Sequence, residues 1–138
     1  MNRSIVELIF ELKFACLAKE ESIREKLDIS PAEYRGIISM QPGKAVSCME
    51  LSAAMGLSRS RGSRVVDKLI KNGFLKEAEK SDDKRVFNVI LTKAGRKALR
   101  EINHVMKDCE SAILKDLPEK ELKSFTLTLH KISEIVKP

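Results

Sequence analysis

The stretch from Ser47 to Asn72 leaves the chain little conformational choice. Ser47 with Glu50 three residues on is a capping box, in which hydroxyl and carboxylate each accept a backbone N–H that a helix start leaves unpaired. That helix runs to Met55 and stops at Gly56, a residue suited to the left-handed backbone of a helix end. Ser58, two residues further on, caps another helix, with Val65, Val66, Leu69 and Ile70 as its buried stripe and Asn72-Gly73 as its stop. Two short helices joined by so tight a turn must cross, giving a helix-turn-helix.

The flanking sequence completes the arrangement. Arg3 to Leu27 reads as one helix, with Ile5, Leu8, Ile9, Leu12, Cys16, Ile23 and Leu27 recurring at three and four. Val6, Phe14 and Leu17 widen its apolar face, so it needs cover from more than one side. A second helix opens at Ser30-Pro31-Ala32-Glu33, with a capping box and Pro31 in the first turn, and ends before Pro42-Gly43. After the crossing helices come two short strands, roughly Phe74 to Glu79 and Arg85 to Leu91. In the second, Val86, Asn88 and Ile90 face one side and Phe87, Val89 and Leu91 the other, and the polar tip Lys80-Ser81-Asp82-Asp83-Lys84 joins the two. Thr92 caps a long helix to about Lys115, whose Ala94, Ala98, Ile102, Val105, Met106, Cys109 and Ile113 approach a heptad seam. A last helix after Pro118-Glu119 carries Leu122, Phe125, Leu129, Ile132 and Val136. The predicted order is ααααββαα: a mainly α chain with a minor β hairpin, a winged helix-turn-helix.

Composition narrows the function. At 138 residues the chain is one compact domain by size, and 43% hydrophobic residues suffice for a core. Aromatics are 4% with no Trp, which argues against an immunoglobulin-like sandwich or an aromatic-lined oligonucleotide platform. No apolar run approaches the roughly 18 residues of a bilayer span, and Glu7 and Glu11 interrupt the apolar N-terminal stretch, so a cytoplasmic location is expected. Three cysteines without a CxxC pair speak against a disulfide framework or zinc ribbon. Net charge is +6, unevenly spread: Lys44 to Arg100 holds 14 Lys and Arg against 6 Asp and Glu, and the rest holds 12 against 14. A basic middle is the footprint of a polyanion partner, the plainer alternative being a solvated face.

The second crossing helix opens Ser58-Arg59-Ser60-Arg61-Gly62-Ser63-Arg64. Hydroxyls and backbone N–H groups bond phosphates, Arg forks onto guanine, and the major groove admits one helix whose N-terminal residues meet the bases. Positive residues at a helix N-terminus cost roughly 0.3–1 kcal/mol each. Three arginines there imply a polyanion rather than a merely solvated turn.

At these residues the sequence resembles the MarR-type (multiple antibiotic resistance regulator) transcription factors. The matching text is Ser30-Pro31-Ala32-Glu33-Tyr34, Glu50-Leu51-Ser52-Ala53-Ala54-Met55-Gly56-Leu57-Ser58-Arg59-Ser60, Ser63-Arg64-Val65-Val66-Asp67-Lys68-Leu69, Asn72-Gly73-Phe74-Leu75, and Asp83-Lys84-Arg85 followed by Leu91-Thr92-Lys93-Ala94-Gly95. Block order and spacing fit from about Asp28 to Leu99, and the Asp-x-Arg run six residues before Leu-Thr-x-x-Gly is the most specific part. The resemblance implies a sequence-specific, double-stranded-DNA-binding regulator, a repressor, acting as a homodimer on a pseudo-palindromic operator. It divides the chain into a winged helix-turn-helix at 30–99 and a helical dimerisation region at 1–29 and 100–138. The DNA-contacting set it implies is Ser58, Arg59, Ser60, Arg61, Ser63, Arg64, Lys68, Lys84 and Arg85, with Arg85 in a minor groove and Asp83 holding its guanidinium. The chain departs from the family at Gly62, where an apolar or β-branched residue is usual. Gly62 would admit a close approach of either the bracing helix or DNA. It departs again at Glu77-Ala78-Glu79, where relatives often carry arginines.

Catalysis is not expected: His104 and His130 stand on different helices, and no phosphate loop or nucleophile elbow appears. The rival readings are a general DNA-coating winged-helix protein and a winged-helix protein-interaction module. The resemblance also implies release by a small-molecule or oxidant signal. Cys16 is the redox candidate, although its periodicity reads as a buried structural thiol, and Cys48 and Cys109 have no evident partners. His104 and Asp108, at i and i+4, are too few for a metal site, and no cofactor is expected.

Overall fold

A computed structural model describes residues 2–78 and 87–138. Its elements are α1 (Ile5–Leu27), α2 (Pro31–Ile38), β1 (Val46–Ser47), α3 (Cys48–Ala54), α4 (Arg59–Lys71), β2 (Leu75–Glu77), β3 (Asn88–Leu91), α5 (Lys93–Asp116) and α6 (Glu119–Val136). The chain divides into two compact units, Met1–Asn103 and His104–Pro138. The mainly helical winged-helix fold read from the sequence is the one observed. The expected wing tip, with Asp83, Lys84 and Arg85, lies outside the described residues.

Cap chemistry sets the helix starts. Ser30 and Ser47 each accept from the backbone N–H three residues on, and Glu33 and Glu50 return the bond, as the sequence predicts. Ser4 and Glu7 make the same box at α1, a start signal the sequence reading passed over. Thr92 Oγ1 accepts from Gly95 N–H at 3.0 Å and donates to the Gly73 carbonyl, so one hydroxyl caps α5 and ties down the chain after α4. Gly56, at φ 70°, makes the turn between α3 and α4 in backbone that other residues resist.

The sheet has the order β1-β3-β2, antiparallel throughout, with Val46 opposite Val89 and Leu75 opposite Leu91. The strand β1 is an addition to the predicted order. It is two residues long and held by backbone pairing to β3, so no side-chain alternation announces it. Within β3, Val89 and Leu91 are fully buried while Asn88 and Ile90 are half-buried, the predicted alternation.

The core of the first unit gathers Ile37 and Met40 from α2 and the residue beyond its cap, Leu51 from α3, Val66 and Leu69 from α4, Leu75 and Leu91 from the sheet, and Leu99 and Ile102 from α5. One charged residue lies among them. Glu33 is 1% exposed, and its carboxylate closes the α2 cap, sits 3.3 Å from Lys68 Nζ and accepts from Asn72 Nδ2 at 3.4 Å. A polar group so deep needs partners on it, and here two of them come from the end of α4. The nearby Tyr34 phenol is pushed above its usual pKa, mainly by burial, with the Glu20 carboxylate adding to the effect and Arg24 opposing it.

Gly62 resolves one ambiguity. A Cβ built there would fall 1.9 Å from Ser52 Oγ and 2.3 Å from Ser52 Cβ, so the close neighbour is the bracing helix α3. The reading of Cys16 as a buried thiol is corrected: it is exposed, because the apolar face of α1 that carries it is itself uncovered in the single chain. Ile5, Val6, Leu8, Phe10, Leu12 and Phe14 are all at least half exposed, and only Ile23 of α1 is buried. In the second unit no residue of α6 is buried, and Phe125, Leu127, Ile135 and Val136 are 50–79% exposed. No helix among the described residues is long and apolar enough to cross a membrane.

Replacing Glu33 with Ala should lower unfolding free energy by about 2 kcal/mol, from a lost cap and a small cavity. Glu33→Gln, which keeps length and an acceptor, should lose less than half of that. Chemical denaturation of the three proteins checks the order.

Candidate nucleic-acid interface

The candidate site is the outer face of α4, and its inner face explains why. Gly62, Val66 and Leu69 are buried against the body of the unit, at helical spacing. Opposite them Ser60, Arg64, Asp67 and Lys71 form the centre of the exposed face. Arg61 and Lys68 flank one side of it, Arg59 and Ser63 the other. The helix is strongly two-sided, with five basic residues and one acid in 13 residues.

The start of α4 breaks a pattern. Ser4, Ser30, Ser47 and Ser58 all cap helices through their hydroxyls. In the first three, a Glu three residues on closes the box; in α4 that position is Arg61. The Arg61 N–H still donates to Ser58 Oγ at 3.3 Å, but a guanidinium cannot return the bond. No acid stands in the first turn of α4 or of α5, whereas α1, α2 and α3 have one each and α6 has two. The helix dipole therefore adds to Arg59 and Arg61 instead of being offset, concentrating positive potential at one exposed end.

Of the residues predicted from the sequence, Ser58, Arg59, Ser60, Arg61, Ser63, Arg64 and Lys68 are exposed on one element. The structure gives three of them further contacts. Ser58 Oγ lies 3.4 Å from Ser60 Oγ, and Lys68 is engaged by Glu33. Asp67 and Lys71 share the face and went unread in the sequence. The spacing from Ser60 and Arg64 was the available signal.

Beside α4 lies an open pocket of about 540 Å³, where Arg59, Ser60 and Ser63 face Cys48 and Ser52 of α3 and Phe87. Backbone bonds fix its rim: Cys48 N–H donates to the Phe87 carbonyl at 2.9 Å, joining the start of α3 to the strand that leads out of the wing. Ala78 N–H donates to the Asn88 carbonyl at 2.9 Å, carrying the hairpin one step toward its tip. His104 Nε2 is 3.5 Å from Asp108 Oδ2, both exposed, and among the described residues no group of three or more His, Cys, Asp or Glu gathers to hold a metal.

Comparison with known proteins agrees with this geometry. Residues 29–87 match the MarR family. The HTH-type transcriptional regulator BilQ of Clostridium symbiosum is 27% identical over 126 residues, 91% of this chain and 86% of that protein. The transcriptional repressor MprA of Escherichia coli K12 is 25% identical over 107 residues; the match covers 76% of this chain and 61% of MprA, less than two thirds of its length. Among solved structures, Streptococcus pneumoniae FabT in complex with DNA aligns with a TM-score of 0.86 at 21% identity, over 96% of this chain and 94% of that one. The reduced form of MarR from Escherichia coli aligns with a TM-score of 0.72 at 20% identity, over 96% and 98%. These structures share the winged-helix fold.

Arg61→Glu would complete the fourth capping box and reverse an unfavourable charge. It is expected to raise the unfolding free energy by about 1 kcal/mol, read by chemical denaturation at low salt.

Proposed function

We propose that the chain, whose residues 29–87 match the MarR family, is a cytoplasmic, homodimeric transcriptional repressor that reads double-stranded DNA with α4 in the major groove and Arg85 in the adjacent minor groove. The observation that carries the reading is Arg61 in the place of a capping acid. A helix start with Arg59 and Arg61 and no acid is unfavourable by itself and becomes favourable against phosphates and guanine edges. Ser60 and Arg61 are the base-contacting residues in this reading. Arg64 is a phosphate contact, and Ser58, Arg59 and Ser63 fix the helix start on the backbone. Lys68 contributes charge only where the Glu33 pairing lets it, while Asp83 orients Arg85 and Lys84 adds a wing phosphate contact. FabT, with the same fold, has been captured with DNA, which supports the assignment.

The homodimer accounts for the uncovered apolar residues of α1 and of α6, such as Phe10, Phe14, Phe125 and Leu127, which a lone chain leaves in water. Two-fold symmetry then sets the half-sites about one turn, roughly 34 Å, apart. A small molecule or an oxidant releases the DNA in this reading; of the three thiols Cys16 is the exposed one, and the pocket beside α4 would let a bound compound displace the reading helix.

Selection from a random duplex pool tests the whole reading. A pseudo-palindrome should be enriched, with log affinity falling steeply as log salt rises. Equal affinity for every sequence would leave a coating protein, and no salt-dependent binding an interaction module. Arg61→Glu should lose the selected sequence despite being the more stable protein. Asp83→Ala should also weaken binding at fixed salt, although it removes a negative charge near a polyanion, and tighter binding would end its assigned role. Sedimentation should find a dimer at micromolar concentration, and Phe125→Asp should disrupt it.

A further inference from the structure

We infer that the contact between Gly62 of α4 and Ser52 of α3 sets how far the reading face stands out from the bracing helix, making this pair a determinant of sequence specificity without touching DNA. The inference rests on α4 being the reading helix. Both residues are buried, Ser52 at 2% exposure. A Cβ on residue 62 would meet Ser52 at three atoms: Oγ at 1.9 Å, Cβ at 2.3 Å and Cα at 3.0 Å. Rotating the hydroxyl away relieves only the first, and the hydroxyl is already held, donating to the Cys48 carbonyl at 2.7 Å. The 2.3 Å contact is between backbone-anchored carbons. Two such carbons rest at about 3.5 Å, so any side chain at 62 parts the helices by about 1.2 Å.

The size of that shift decides its effect. Gly62 stands between Arg61 and Ser63, so the displacement passes directly to the residues beside it. A hydrogen bond to a base edge works over roughly 0.5 Å of donor–acceptor distance, and a displacement of about 1.2 Å breaks it. Attraction to phosphates decays over a screening length of about 8 Å and hardly registers the same movement. A side chain at 62 therefore removes base reading and leaves general DNA affinity, a separation that loss of stability alone would not produce.

Three variants test this, with folding verified by circular dichroism at the binding temperature. Gly62→Ala should lower the preference for the selected sequence over random duplex by about 10-fold or more, with random-duplex affinity and salt slope kept within about twofold. Adding Ser52→Gly, which deletes both Oγ and Cβ, should restore the preference; adding Ser52→Ala, which keeps the Cβ, should not. If Gly62→Ala does not fold, the Gly62→Ala/Ser52→Gly protein still decides, since it leaves a single Cβ at the contact, now on α4, and should read DNA like wild type. An unchanged preference in Gly62→Ala, equal rescue by Ser52→Ala and Ser52→Gly, or lost preference in a folded double variant would overturn the inference. A wild-type protein with no sequence preference would instead overturn the reading it rests on.

Discussion

The exposed face of α4 depends on a carboxylate that water hardly reaches. Glu33 closes the cap of α2 and is met by Lys68 and Asn72 from the end of α4. A polar side chain at 1% exposure needs partners, so the Lys68 and Asn72 contacts tie the end of α4 to the start of α2. Its other end is fixed by shape, through the absence of a side chain at Gly62. A helix tied by polar contacts at one end and by steric contact at the other is restrained against sliding and rolling, the rigidity that the proposed reading role calls for.

The contrast between caps shows how stability yields to function. Three serine caps are closed by Glu7, Glu33 and Glu50, and the fourth is left open by Arg61. The same chain thus displays both the stabilising solution and its omission. The omission falls on α4, which carries five basic residues against one acid. Local rules kept at α1, α2 and α3 and broken at α4 are what a functional site leaves behind.

Most of the architecture was legible because its signals are local. Ser30 and Ser47 announce helices through Glu33 and Glu50 three residues away, Ser58 does so by following the Gly56 turn, and Gly56 and Gly73 announce their ends. What was not legible depends on distant partners. Glu33 reads as a cap; its second task involves Asn72, 39 residues on. Lys68 reads as one more DNA-facing cation, and only the fold brings its ammonium beside Glu33. The strand β1 is made by backbone pairing with Val89 and Asn88, which sequence periodicity cannot register. Cys16 follows the apolar period of α1, but period alone does not say whether a face is covered by its own chain.

Ser47 has a consequence beyond its place in the sheet. It is the last residue of β1, opposite Asn88, and also the cap of α3. The next amide, Cys48, bonds to the Phe87 carbonyl. Helix fraying and strand peeling, normally independent losses at the edges of a fold, are here a single opening event. The first turn of the bracing helix therefore inherits the lifetime of the sheet. A seven-residue helix would come and go on its own; here it lasts as long as a strand pairing across more than forty residues of chain.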